Sequence, residues 1–361
     1  SVHVIDAYGS CSDYCRAVEQ AGLPLTILYP KQENPFIGFA DKPLLRYGRM
    51  LLQMPEFYQI YRRLQKKILN INPDVIWVNN YKSLAFLASN RRLRQIPTAV
   101  YFRGWGTPDQ ISPSFLRLLK GTVSAVIGHA RATLKNLGDM NIPADKLHYA
   151  PNTVNFDAVF DKASQPLERP VPDSDRYPKI LLPAARPVRE KGHLTAVYAM
   201  AKLKEKGYDP VLWLPGKTAT GVDSSFMETL QRVVCRHKLE QNIQFLGWRT
   251  DMEALINACD IVILPSHTEG FPRIILESML LKKPVIATPV GGIPEAVIHE
   301  KTGLLIEIDN DSQLAENIIR YIKDRPFQEQ VVQEAFLFVR SVHDPKENTR
   351  RVLEIFQSIR K

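Results

Sequence analysis

No stretch of about 18 consecutive apolar residues occurs in the 361-residue chain, so no segment is expected to cross a bilayer as a helix. The opening, SVHVIDAYGS, lacks the charged start, apolar stretch and small-residue cleavage site of a secretory signal. The chain begins on Ser1 without an initiator methionine, which leaves open what precedes it. Cysteine is scarce: Cys11, Cys15, Cys235 and Cys259 show no spacing typical of zinc, and they are expected as free, buried thiols in a reducing cytoplasm. No fixed repeat and no low-complexity tract appears. No G-x-G-x-x-G follows a predicted strand, which argues against a nicotinamide dehydrogenase.

Negative charge is lacking in one half only. Residues 1–150 hold 19 Lys and Arg against 10 Asp and Glu, whereas residues 151–361 hold 28 against 28, so the whole excess of nine positive charges lies in the first half. Such asymmetry points to an anionic partner met by that half: nucleic acid, an acidic lipid surface or an anionic substrate.

Short β-branched runs alternate with helical patterns throughout, which predicts an α/β fold with parallel sheets. In the first half strands are expected at SVHVID, LTILYP, PDVIWVN, TAVYF and SAVIGH, and in the second at KILLPA, PVLWLPG, IQFLGW, DIVILPS, PVIAT and TGLLIE. The length suits two domains, each able to bury its own core. The expected division is a first Rossmann-like domain over 1–160, a linker over 161–178 with four prolines, and a second Rossmann-like domain over 179–342. A final helix within 343–361 is expected to cross back to the first domain. Ligands in such sheets lie beyond the carboxyl ends of the strands, so the site is expected in a cleft between the two doubly wound domains.

Two stretches carry chemistry. HTEGFPRIILES, residues 267–278, follows the strand IVILPS and places Glu269 in a turn and Glu277 in a helix. Pro272 suits the first turn of that helix, and the backbone N–H groups there suit an anion. Glu277, if buried, needs donors, and a ribose diol supplies two. AARPVREKGH, residues 184–193, follows the strand KILLP and sends out Arg186 and Lys191, two fixed cations of the kind a diphosphate leaving group requires. Arg189 between them reads as a solvated charge.

EGFPRIILE and RPVREKG, with FLGWRTDMEALINACDIVILPS between them and PVIATPVGGIPEAV after, resemble the nucleotide-sugar half of a GT-B glycosyltransferase of family 4 (glycosyl transferases group 1). NPDVIWVNNYKSLAFLA and SAVIGHARATLKNLGDMNIPADKLHYAPNTVN extend the resemblance over essentially the whole chain. The resemblance implies a retaining hexosyltransferase acting in bacterial envelope or extracellular polysaccharide assembly. Its donor would be a UDP-hexose such as UDP-glucose, and its acceptor a saccharide or lipid-linked saccharide. It gives Glu277 the ribose hydroxyls, sets Glu269 near the donor sugar, and gives the diphosphate to Arg186 and Lys191. Backbone groups of Gly270, Phe271, Arg273 and Ile274 would hold the sugar and β-phosphate. Trp248 and Arg249 match the loop that frames the base, and Gly9 and Ser10 match the loop after the first strand.

The chain departs from the pattern in two places. AYGSCS keeps one glycine where the family usually has a pair. VYFRGWGT puts Arg103 where the family commonly has His, and a permanently charged Arg cannot act as a base. Arg103 is therefore read as stabilising phosphate, binding an acidic acceptor, or simply pairing within its loop. His129, after another strand, either faces the site or is a hydrogen-bonded core histidine.

No metal or other cofactor is expected. The DSD at Asp173–Asp175 and DND at Asp309–Asp311 mimic a metal-binding D-x-D but lie away from the expected site, and two cations with a helix terminus already serve a diphosphate. The basic half offers residues 46–70, where Arg46, Arg49, Arg62, Arg63, Lys66 and Lys67 mix with Met50, Leu51, Phe57, Tyr58, Tyr61 and Leu64. That mixture suits an anionic membrane surface, and equally an ordinary packed amphipathic helix. A cytoplasmic protein is the expectation, with peripheral attachment to the inner face of the membrane and no attachment as equal alternatives. Two other readings stand beside it: an inverting GT-B transferase or nucleotide-sugar epimerase, and a nucleic-acid-binding protein suggested by the high isoelectric point. The first needs a general base, and the second needs stacking aromatics on an open basic face.

Overall fold

A computed structural model describes residues 1–30, 43–79, 83–104, 106–108, 111–171, 176–184, 186–217 and 225–360, apart from the side chains of 43–53. Asp173–Asp175 and the side chains of Arg46, Arg49, Met50 and Leu51 fall outside the described set.

The chain divides into two compact units: Ser1–Val100 with Arg117–Ser124 and Ile359–Lys361, and Tyr101–Leu116 with Ala125–Ser358. In the first unit β1 (Val4–Asp6) pairs in parallel with β2 (Leu25–Ile27), and β3 (Ile76–Val78) with the start of β4 (Thr98–Phe102). A helix of 29 residues, Pro43–Ile71, belongs to this unit and carries Pro55 inside it. Its Ile60 packs with Tyr8 and Leu28. Arg360 donates to Asp74 at 2.9 Å, which ties the end of the chain into the same unit.

The second unit holds a parallel pair, β5 (Ala125–Gly128) with β6 (Leu147–Tyr149), and one large parallel sheet. The strands of that sheet are β7 (Lys179–Leu181), β8 (Val211–Pro215), β9 (Ile243–Gly247), β10 (Ile261–Leu264), β11 (Val285–Ala287) and β12 (Leu304–Leu305), in the order β12-β11-β10-β7-β8-β9. From β7 the chain winds outward through β8 and β9, then returns to place β10 on the other side of β7. The winding direction reverses there, so the loops after β7 and β10 diverge from a common point, where open α/β sheets take their ligands.

The burial pattern explains why these strands read as near-continuous apolar runs. Alternate residues face opposite sides. Leu181, Trp213, Val262, Leu264, Val285 and Ala287 enter one core, while Ile180, Leu182, Leu212, Leu214, Ile263 and Ile286 enter the other. Helices Arg273–Leu280 and Arg325–Val342 cover the first face through Ile275, Met279, Ala335 and Val339. Helices His193–Glu205 and Asp311–Lys323 cover the second through Met200, Leu203, Leu314 and Ile318. A parallel sheet buried on both faces leaves only its strand ends for function.

Each of the eleven expected strands has its counterpart. β6 was not expected: it is three residues, LHY, none fully buried, and carries no β-branched residue. The thiols depart from expectation, since only Cys259 is buried, while Cys11 and Cys235 are exposed and Cys15 is intermediate. No described helix is long and apolar enough to cross a membrane.

Candidate functional site

The loops leaving β7 and β10 meet. His267 N–H donates to Glu190 O at 2.8 Å, Lys191 Nζ reaches Glu269 Oε1 at 2.6 Å, and Ser266 Oγ donates to the same oxygen at 2.9 Å. Glycine permits this approach. Gly192 has φ of 69°, and a Cβ there would stand 1.9 Å from Pro265 O, so no other residue fits. His193, next along, is buried with Nδ1 3.3 Å from Val188 O; burial holds its imidazole neutral, at a pKa of about 4, with the Lys191 charge acting in the same sense. Arg186 is exposed and makes no ion pair among the described residues. The uncompensated positive charge at this edge is therefore its guanidinium, with exposed Arg189 further along the loop.

Beyond Glu269 the chain turns through Gly270 and Phe271 into helix Arg273–Leu280, with Pro272 as N-cap at φ of −74°. Pro272 thus stands one place ahead of the first helical turn. Among the described residues the backbone N–H groups of Gly270, Phe271, Arg273 and Ile274 make no hydrogen bond, and Pro272 has none to offer. The result is a run of four unpaired N–H groups at the positive end of a helix, the arrangement that receives phosphate.

The turn is packed from behind. Gly292 N–H donates to Gly270 O at 2.6 Å, and a Cβ on Gly291, at φ of 57°, would lie 2.0 Å from Glu269 O. A Cβ on Gly270 itself would come within 3.0 Å of Arg103 O and 3.1 Å of His129 Nε2. Arg103 thus touches the turn with its main chain, while its exposed guanidinium lies 5.2 Å from the Tyr101 ring centroid. His129 is buried, its Nδ1 donating to Phe102 O at 2.9 Å, and burial lowers its pKa. Its Nε2 is a lone-pair acceptor beside Gly270 with no partner among the described residues.

Glu277 is 9% exposed. Arg273 Nη2 lies 3.2 Å from its Oε1, one helical turn away. Desolvation raises the Glu277 pKa despite that guanidinium, so the ionised carboxylate is short of donors. Trp248 is an exposed indole. Arg249 is different: its side chain is buried, paired with Asp251 at 2.6 Å and 2.8 Å, and donates to Arg169 O at 3.1 Å and 3.2 Å. Arg169 in turn donates to Trp248 O at 2.7 Å. Any role for Arg249 toward a ligand must therefore use its main chain.

Gly9 and Ser10 lie in the first unit, after β1. Gly9 has φ of 65°, and Asp6 Oδ1 accepts from the N–H groups of Tyr8 and Gly9 at 2.8 Å and 2.7 Å. The DND motif is occupied by the protein itself: Asp309 accepts from Thr195 and His267, Asn310 caps the helix Asp311–Lys323, and Asp311 pairs with Lys202. No group of three metal-ligating side chains occurs among the described residues.

A parallel sheet with cations, one buried and one half-buried carboxylate and a phosphate-type helix terminus at its switch point defines a nucleotide-binding class of protein. Residues 10–158 match the family described as Glycosyltransferase Family 4, and residues 164–338 match Glycosyl transferases group 1. The chain belongs to the family-4 GT-B glycosyltransferases. Among curated relatives it is 36% identical over 104 residues to N-acetyl-alpha-D-glucosaminyl L-malate synthase of Bacillus anthracis, covering 29% of this chain and 27% of that one. It is 29% identical over 206 residues to D-inositol 3-phosphate glycosyltransferase of Corynebacterium aurimucosum, covering 56% and 46%. The chain thus spans under half the length of these relatives. Its fold is similar to Anabaena Alr3699/HepE solved with UDP and glucose, with a TM-score of 0.76 at 21% identity over 96% of this chain and 89% of that one. It is also similar to sucrose-phosphate synthase of Thermosynechococcus elongatus, with a TM-score of 0.73 at 19% identity over 99% and 98%.

Several contributors carried weak sequence signals or none. Ser266, Gly291 and Gly292 sit in quoted motifs without an assigned role, and the paired glycine after a strand was the available sign. Glu295, whose Oε1 caps Ala132 N–H at 3.0 Å, and Asn152, which donates to Phe271 O at 2.9 Å, are separated from their partners by more than a hundred residues. Gly291→Ala is expected to lower the unfolding free energy by about 1–3 kcal/mol through backbone strain. Urea denaturation checks this, and an unchanged midpoint would contradict the packing described.

Proposed function

We propose that this protein is a retaining, metal-independent hexosyltransferase that takes a hexose from a UDP-sugar, UDP-glucose being the leading donor, and passes it to a saccharide or lipid-linked acceptor in polysaccharide assembly. The observation that carries the reading is the run of four unpaired N–H groups between Glu269 and Glu277. A pyrophosphate laid on those groups has a cation on one side, a carboxylate for the sugar on the other, and a second carboxylate in need of donors one turn down the helix. The UDP and glucose named for the Anabaena structure support the same donor chemistry.

In this reading Glu277 accepts from both ribose hydroxyls, replacing the water it has lost. Arg186 and Lys191 stabilise the charge that grows on the diphosphate as the glycosidic bond breaks. Glu269, oriented by Lys191 and Ser266, holds the sugar. The departing phosphate takes the acceptor's proton on the same face, which leaves the configuration unchanged and requires no side-chain base. Arg103, which cannot serve as a base, stabilises phosphate or an acidic acceptor. Two cations and a helix terminus supply the charge that a divalent ion would otherwise bring. The Trp248 loop is assigned to the base.

The long helix of the first unit adds a membrane surface to this reading. Its exposed residues include Met54, Tyr58, Arg62, Lys66 and Leu69, while Arg63 turns inward to donate to Leu28 O at 2.6 Å. Cations and apolar groups share that face, as an anionic interface favours.

Glu277→Ala is expected to weaken UDP binding by about 1.5–3 kcal/mol, the range for hydrogen bonds to a charged group. Calorimetry giving the wild-type affinity would remove its ribose role. Arg186→Ala is expected to cut turnover at least tenfold with little change in melting temperature. That assay is run in chelator, where the wild type is expected to stay active; full turnover by the variant sinks the diphosphate assignment. Flotation with phosphatidylserine-containing vesicles is expected to show association that falls with salt, and its absence at low salt removes the membrane proposal.

A further inference from the structure

The turn that carries the unpaired N–H groups is held from a direction that the donor chemistry does not require. Asn152, in the segment after β6, donates through Nδ2 to Phe271 O at 2.9 Å. The main-chain carbonyl of Asn152 accepts from His343 Nδ1 at 2.7 Å. His343 is 1% exposed and forms the C-cap of helix Arg325–Val342, immediately before helix Pro345–Ile359. Both acceptors are carbonyls, so the chemistry fixes both donors: the Asn152 amide must present its nitrogen and His343 must carry its proton on Nδ1. The Phe271 ring lies between two buried histidines, with centroids 5.3 Å from His343 and 6.3 Å from His129.

The peptide that follows Phe271 leads into Pro272, so that plane has a carbonyl and no N–H. Turned one way, its oxygen points at Asn152 and leaves the neighbouring N–H groups facing an anion. Turned the other way, it would bring the negative end of a peptide dipole among them, with no donor to compensate. The helix makes no use of Phe271 O, since its first turn is closed by Ile275 N–H on Pro272 O. The hydrogen bond from Asn152 is the contact that selects the orientation, and His343 selects the placement of Asn152.

We propose that Asn152 and His343 are positioning residues for the donor turn, a two-link relay that makes nucleotide affinity depend on the joint between the last two helices. This rests on the donor-site reading given above. Neither side chain touches the nucleotide; they act through the direction of one carbonyl. The joint is well anchored for such a role. His343 N–H is bonded to Val339 O at 2.9 Å, the ring packs on Phe338, and Asp344 caps the following helix through Lys346 N–H at 2.6 Å.

The test is UDP titration by calorimetry on the full chain, with melting temperature measured in parallel. Asn152→Leu keeps the volume and removes the donor; His343→Leu keeps the bulk and removes the second link. Each is expected to weaken UDP binding about tenfold or more. His343→Asn, whose amide nitrogen falls where Nδ1 lies, is expected to bind within about threefold of the wild type, a rescue that simple loss of packing would not give. If Asn152→Leu does not fold, Asn152→Ser, too short to reach Phe271 O, replaces it with the same expectation. Wild-type affinity in a folded Asn152 variant, or equal impairment of His343→Leu and His343→Asn, overturns the relay while leaving the donor site standing. A wild-type chain that binds no UDP overturns the donor-site reading and the relay with it.

Discussion

Backbone comes closer to backbone around this site than any side chain would allow, and the rest of the geometry depends on that. Gly192 lies against the carbonyl of Pro265, and Gly291 against that of Glu269. The first contact draws the loops after β7 and β10, distant in sequence, to within reach of an ion pair; the second backs the acidic turn with the loop after β11. Lys191 and Glu269 are then neighbours because the main chains beneath them are. A Cβ at Gly192 would separate the cationic loop from the strand end that carries the acidic turn, and one at Gly291 would displace the turn itself, in neither case altering a single charged residue.

The two acids of the turn and helix live under opposite conditions. Glu269 is supplied by Lys191 and Ser266 on one oxygen and is held in place before any ligand arrives. Glu277 is more deeply placed in the helix, has one guanidinium at the edge of reach, and is driven toward its neutral form by burial. A group whose folded pKa is raised above its unfolded value costs stability as pH rises from the unfolded pKa through the folded one. Above the folded pKa the unliganded fold carries that cost in full, and a ligand donating to the carboxylate relieves it. One acid orients; the other is a demand that a diol satisfies.

Much of this was legible in the sequence, because the relevant signals are local. The runs KILLP and DIVILPS announce doubly buried strands, and the cations and acids that follow them fall at strand ends for that reason alone. What escaped depends on distance along the chain. Nothing in LHYAPNTVN indicates that its asparagine meets Phe271, nor does SVHDP indicate that its histidine meets Asn152, since each is an ordinary polar residue until the fold brings them together. The strand Leu147–Tyr149 escaped because three half-buried residues carry too little pattern. Arg249 shows the reverse: its position in the loop was legible, yet its charge serves the protein's interior, a fate the motif gives no sign of.

That guanidinium also ties the segment ahead of β7 to the large sheet. Arg249 takes its acceptors from Asp251 and from the main chain of Arg169, while Glu168 accepts from Thr250 and its N–H meets Asp251. Val171 enters the core beneath the sheet, and Leu167 packs on its margin. Residues ahead of β7 are thus stitched into the loop after β9 as firmly as a strand would be. A chimera that joined a foreign first half at Lys179 would leave a buried cation with part of its shell missing, whereas a junction ahead of Leu167 would carry the loop and its seam together.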